Sequence, residues 1–239
     1  MYRKDSPATI QSMFNSIVKR YDFTNVGLSF FLPRYWNKTL IRFVKQTSSS
    51  PVLLDLCSGT GDIAFAYLKE VTSPCQAYLI DFSHEMLEYA KQKANQLNFS
   101  SSQHLSFIEA DVQHIPLPNQ IGNCATMAYG IRNVQNPALC IQEVSRLLKP
   151  GSCFGILELT RPHMRLLRWG HEFYLRRILP FLGKRLTDNE QAYQYLCKSI
   201  QSFVAPEDLQ KLLLENGFQN TKIQPLAGGI ATIIVGYKS

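Results

Sequence analysis

"VLLDLCSGTGD", residues 52–62, decides the fold. Its first five residues form a continuous apolar run, which suits a strand covered on both faces in a parallel sheet. A turn with Gly59 and Gly61 follows, and Asp62 then opens a helix-spaced apolar stretch over 62–70. A loop between a first strand and a first helix lies at the carboxyl edge of such a sheet, where ligands bind. Glycines there let backbone approach a ligand, because no Cβ intervenes. The stretch is not a dinucleotide fingerprint. Cys57 stands in place of a first glycine, and starting the match at Gly59 leaves Asp55 unexplained. Asp62 suits the positive end of a helix but repels a pyrophosphate, so a zwitterionic or cationic ligand fits better.

The same alternation continues downstream. Apolar runs at 77–81, 105–110, 124–129 and 153–159 predict four more strands, and helical patterns at 84–97 and 136–148 lie between them. The last helix ends in "LKPG" (148–151), a helix stop followed by a turn. Strand–helix alternation implies βαβ units, hence an α/β fold with helices on both faces of a mostly parallel sheet. The tail differs: a helix over 206–216 stops at Gly217, and strands near 221–226 and 231–237 are joined by "AGG". That hairpin makes seven strands with an antiparallel edge. Residues 1–48 read as a helical cap, with Met13, Phe14, Ile17, Val18 and Tyr21 at helical spacing. A helical, basic insert over 161–198 follows the fifth strand, and the whole reads as one domain.

Acids close three strands: Asp55, then Asp81 at the end of "YLID", then Asp111 at the end of "FIEAD". An acid after the second strand commonly accepts hydrogen bonds from ribose hydroxyls. One after the third strand suits an adenine amino group. Any single Asp is also read as a helix cap. Ribose, adenine and a cationic amino acid together describe S-adenosylmethionine.

Composition sets outer limits. Of 239 residues, 45% are hydrophobic and 18% charged, enough for a substantial core. No secretory signal and no membrane-spanning run is read in the sequence, and the six cysteines suit reduced thiols of a cytoplasmic protein. No histidine pair has metal spacing, and no metal is expected. The net charge of +7 points to an anionic partner, nucleic acid or a lipid surface. It concentrates at 161–185, where seven basic residues face one acid, Glu172.

"DLCSGTGD" resembles the first motif of class I S-adenosylmethionine-dependent methyltransferases, which have a Rossmann-like fold. "MFNSIVKRYDFTN" (13–25), "YGIRNV" (129–134), "LKPG", "SIQSF" (199–203) and "GGIATIIVGYK" (228–238) narrow the likeness. Together they resemble the UbiE/MenG family, the C-methyltransferases of menaquinone and ubiquinone biosynthesis. The resemblance implies methyl transfer to a ring carbon of a demethylated prenyl quinol. It implies that Asp55, Gly59, Thr60, Gly61 and Asp62 line the amino-acid end of the cofactor. Asp81 would then take the ribose, Asp111 and Val112 would flank the adenine, and Ala128 would lie under the cofactor at the end of strand four. Three positions depart from the family's habit: Asn15 for Asp, Val112 for Ala, and Ile234 for His. A catalytic histidine is therefore not expected at 234.

Carbon methylation needs electron density on the ring, which a deprotonated hydroxyl supplies. Arg132 is the candidate cation beside that oxygen, with Asn133 next to it; the alternative is a surface arginine capping strand four. Glu158, ending strand five, is the candidate base, or else a packed strand-end acid. Tyr21, with Asp22 and Asn25, would cover the pocket, or simply pack. In the insert, Leu166, Trp169 and Phe173 interleave with arginines, which reads as a solvated core helix or as a patch for an anionic membrane surface. On the second reading the protein is peripheral on the inner face of the cell membrane. No nucleic-acid module is recognisable, and monomer and homodimer both stay open.

Overall fold

The computed structural model describes Thr9, Gln11, residues 32–45, 49–179 and 190–239. Most of the expected N-terminal cap, including Tyr21, Asp22 and Asn25, lies outside these residues. Within it, helix α1 (Leu32–Val44) buries Trp36, Leu40, Ile41 and Val44, one face of a 3.6-residue repeat. Gly155 explains how closely α1 approaches the sheet: a Cβ there would lie 2.6 Å from Val44 and 2.7 Å from Leu40.

Seven strands form one sheet in the order β3-β2-β1-β4-β5-β7-β6. They are β1 (Val52–Leu56), β2 (Cys75–Asp81), β3 (Gln103–Glu109), β4 (Gly122–Ala128), β5 (Leu148–Leu159), β6 (Phe218–Leu226) and β7 (Ala231–Lys238). The first five are parallel, and β7 is antiparallel to both β5 and β6. The tail hairpin thus supplies the antiparallel end of the sheet, with β7 taking the inner place and β6 the outer one.

Helices α2 (Asp62–Glu70) and α3 (His84–Gln96) share one face with α1, in a core with Leu53, Leu79 and Ile233. On the other face α4 (Pro137–Leu147) and α7 (Pro206–Glu215) pack with Leu54, Leu56 and Met127. Alternating β1 residues feed opposite cores, so both faces of that strand are covered, as its largely apolar run requires.

Helix starts follow local chemistry. Ser83 Oγ accepts from Met86 N at 3.1 Å, and Asn136 Oδ1 accepts from Leu139 N at 3.2 Å with Pro137 next. Gly217, at φ +81°, ends α7 in the left-handed conformation that favours glycine. "LKPG" ends α4, but β5 begins at Leu148 without an intervening loop. The exposed Pro150 and Gly151, at φ +79°, sit in the opening of the strand, and the β4–β5 register shifts beside them.

The insert begins with α5 (Arg165–Phe173), continues as a wider π-helical turn (Tyr174–Ile178) and resumes as α6 (Glu190–Ser202). A small separate core of Leu175, Leu179, Cys197 and Ile200 joins its two parts. Among the described residues no helix is long and apolar enough to cross a membrane.

Candidate active site

The strand order reverses between β1 and β4, and a cavity of about 250 Å³ opens there, at the carboxyl ends of the parallel strands. Two backbone irregularities shape it. Cys57, directly after β1, has φ +50°, and Tyr129, directly after β4, has φ +59°. Neither is glycine, and such strain persists only where surrounding contacts enforce it. Those contacts are visible. A Cβ on Gly130 would lie 2.4 Å from Cys57 Cβ, so the two loops press together through a glycine. Tyr129 N donates to Leu157 O at 2.7 Å, and its hydroxyl donates to Asn37 Oδ1 of α1 at 3.2 Å.

Six residues expected at the site line the cavity: Gly59, Asp81, Asp111, Val112, Ala128 and Asn133. A Cβ at Gly59, which has φ +53°, would meet no atom within 4 Å, so the backbone itself forms that wall. Asp81 holds the loop in place, accepting from Gly59 N at 2.8 Å and from Ser83 N at 2.9 Å. Burial pushes its carboxyl up to about 6 from 3.8, although these backbone bonds pull the other way. Asp111 is exposed. It accepts from Gln113 N at 2.9 Å and from the Gln113 carboxamide, whose Oε1 accepts from Asn136 N at 3.1 Å.

The other expected residues stand elsewhere. Asp55 and Thr126 are register partners on β1 and β4. Asp55 Oδ1 accepts from the Thr126 hydroxyl at 2.7 Å, and Oδ2 accepts from Ala64 N at 3.2 Å. Asp55 is 1% exposed, so it supports the loop from below and does not line the cavity. Burial first, then Asp81 and Asp62, raise its carboxyl to about 7, with the two hydrogen bonds opposing. Thr60 is buried, and Gly61 packs so tightly that a Cβ would lie 2.6 Å from the Phe65 ring. Asp62 turns away from the cavity to pair with Lys93 of α3. Tyr21 lies outside the described residues.

Arg132 and Glu158, the expected cation and base, are paired with each other. Arg132 Nη1 donates to Glu158 Oε1, and Arg132 N donates to Glu158 Oε2 at 3.2 Å. Their side chains are 5% and 0% exposed, and neither lines the cavity. The same Nη1 donates to Tyr129 O at 2.6 Å. The pair therefore anchors the short turn at Ile131–Asn133 that carries Asn133 to the wall.

The structure adds wall residues that were not expected to line the site: Cys57, Phe82, Met86, Gln113 and Tyr129, together with Gln11 from the N-terminal segment. Gln11 Nε2 donates to Phe82 O at 2.6 Å. Phe82 and Met86 follow the end of β2 by one and five residues, a position that in hindsight marks a site wall. Burial, and next Asp81, push the Cys57 thiol well above its usual value, so it stands in the wall as a neutral group.

The buried carboxylates test the fit of a cofactor. Asp55 and Asp81 have no Lys or Arg partner among the described residues, and both are held toward protonation by burial. A ligand with positive charge and hydroxyl donors satisfies such a site, while a phosphate-rich one does not. The residues present fit S-adenosylmethionine.

The model of the ubiE/COQ5 methyltransferase family matches residues 2–238. A demethylmenaquinone methyltransferase of Protochlamydia amoebophila (strain UWE25) is 56% identical over 238 residues, covering 99% of this chain and 98% of that protein. One from Chlamydia felis (strain Fe/C-56) is 38% identical, covering 94% of each. Among solved structures, a SAM dependent methyltransferase from Aquifex aeolicus superposes with a TM-score of 0.66 at 16% identity, over 94% of this chain and 98% of that one. That likeness concerns the fold alone.

Proposed function

The chain belongs to the ubiE/COQ5 methyltransferase family, and from that premise we propose that it transfers a methyl group from S-adenosylmethionine to a ring carbon of a demethylated prenyl quinol. Demethylmenaquinol is the preferred acceptor, ahead of a ubiquinone precursor, because the full-length relatives described above carry the demethylmenaquinone name. The observation that carries the reading is the acidic end of the cavity, where Asp81 lines the wall and meets no protein cation among the described residues, with Asp55 buried behind the loop.

When bound, the cofactor supplies an electrophilic methyl group on a sulfonium. The chain's residues bind and orient it. Asp81, in its ionised form, accepts from the ribose hydroxyls, and Gly59 lets the loop backbone come close. Asp111, held by Gln113, accepts from the adenine amino group, with Val112, Phe82 and Met86 as apolar walls. Ala128 leaves room beneath the cofactor. Asp55, Thr60 and Gly61 fix the loop from behind, and Asp62 acts only through the helix start.

On the acceptor side a ring hydroxyl would lose its proton, the ring carbon would take the methyl group as the cofactor's sulfur gives it up, and that carbon would then lose its own proton. Asn133 and Tyr129 line the cavity, and in this reading they serve the acceptor side. Arg132 and Glu158 act indirectly, by fixing the turn that bears Asn133.

A prenyl quinol resides in a bilayer, and α5 suits contact with one. No residue of α5 is buried. Leu166, Trp169 and Phe173 are 80%, 69% and 52% exposed, beside exposed Arg165, Arg168, Arg176 and Arg177. Apolar and cationic groups on one short segment match an anionic lipid surface, on the cytoplasmic face of the membrane.

The direct test supplies the purified protein with methyl-labelled cofactor and either a short-tailed demethylmenaquinol or bulk RNA. Label on the quinone ring, located by mass spectrometry, is the expected result. Label on RNA with none on the quinol overturns the reading.

A further inference from the structure

Asn133 is held by a residue far away in sequence. The Tyr195 hydroxyl, on α6 of the insert, donates to Asn133 Oδ1 at 2.9 Å. The backbone at Asn133 is fixed as well, its N–H donating to Gly130 O at 2.9 Å. Tyr195 is itself well supported. Two residues on, Cys197 Sγ donates to Leu175 O at 2.7 Å, and Cys197 packs with Leu175, Leu179 and Ile200. A carboxamide has two unlike ends, an acceptor oxygen and a donor NH₂. With Oδ1 engaged by a phenol donor, the end left to face the cavity is Nδ2, and Asn133 lines that cavity.

Building on the proposed function, we propose that Tyr195 is a positioning residue: it fixes the Asn133 carboxamide so that Nδ2 donates to the acceptor's ring oxygen as that oxygen becomes anionic. A donor aimed at developing charge favours the reacting state over the ground state, because a hydrogen bond to an anion is stronger than one to a neutral hydroxyl. Without the phenol, the carboxamide rotates between its two ends, and half of its orientations offer an oxygen to an oxyanion. The insert thereby contributes to the acceptor site through one hydroxyl, without entering the cofactor end.

The test compares wild type, Tyr195→Phe, Asn133→Ala and the double variant on a short-tailed, water-soluble demethylmenaquinol. Tyr195→Phe is expected to lower kcat by on the order of tenfold to a hundredfold, the scale of a misplaced catalytic group. Cofactor Kd and Tm should stay at wild-type values, since the ring and its packing remain. Added to Asn133→Ala, the Tyr195→Phe change should lower kcat no further. The pH profile of kcat should move to higher pH in Tyr195→Phe, because an acceptor hydroxyl with a poorer donor ionises later. Wild-type kcat in Tyr195→Phe, losses that multiply in the double variant, or an unmoved pH profile would overturn the role of Tyr195 and leave the proposed function standing. Failure of wild type itself to methylate any quinol would overturn both.

Discussion

Asp81 and Asp55 are the residues whose chemistry is most exposed to a simple titration. Folded, their carboxyls stand at about 6 and about 7, against an ordinary 3.8. The folded chain thus binds these protons more tightly than the unfolded one. Their contribution to stability is full below about pH 4 and is lost as pH rises through about 6 and about 7. A cationic, hydroxyl-bearing cofactor favours the ionised form of Asp81, which lines the cavity, so its binding releases protons. Affinity for S-adenosylmethionine should therefore rise as pH rises toward about 6 and level off above it, and calorimetric heats near pH 6 should depend on the buffer's ionisation enthalpy. Asp81→Asn should flatten most of that dependence and weaken binding by about 1.5–3 kcal/mol, the worth of a charge-assisted bond. An unchanged affinity and pH profile in the folded variant would remove Asp81 from the cofactor site. The strand-end acids were legible in the sequence because each closes an apolar run. That Asp55 lies under the loop was not, since this depends on Thr126, 71 residues away, reaching it from the neighbouring strand.

The turn after β4 and the end of β5 are joined by Arg132 and Glu158, and their pairing is a property of elements rather than of either residue. Removing one partner of a buried pair leaves an uncompensated charge, at about 3–5 kcal/mol. Arg132→Ala should lose stability on that scale in urea unfolding. Arg132→Met combined with Glu158→Leu should recover most of it, while turnover stays low because Tyr129 O has lost its donor. If Arg132→Ala instead unfolds like wild type and loses turnover a hundredfold, on the scale of a removed charge stabiliser, the guanidinium meets the acceptor directly, as the sequence pattern suggested. The sequence located both residues but not their contact. Twenty-six positions separate them, and only the β4–β5 pairing brings the two strand ends together. Regular elements were easier to read: Gly61 and Asp62 announce α2, and largely apolar runs announce β1, β2 and β4. The opening of β5 was read as a turn, because Pro150 and Gly151 carry the same local signal whether a loop follows or a strand begins.

At the scale of the molecule, the cofactor cavity and the insert connect through α6, while α5 turns its apolar side chains to solvent. The protein should co-sediment with vesicles containing anionic lipid at low salt, and less so as salt rises, because screening weakens one of the two contributions. Arg176→Glu with Arg177→Glu should reduce sedimentation while cofactor affinity and turnover of a short-tailed quinol persist. Equal sedimentation of wild type and the double variant at low salt would mean that the face contacts something other than lipid. The position of β7 carries a consequence for biosynthesis. Strand β6 leaves the ribosome first, yet it has no place in the sheet until residues 231–238 settle between it and β5. Through most of translation the five parallel strands can assemble with β5 as a bare margin. The nascent chain therefore carries an unpaired strand margin until β7 is made, and crowded polysomes, where neighbouring copies present the same margin, are where its assembly is most at risk.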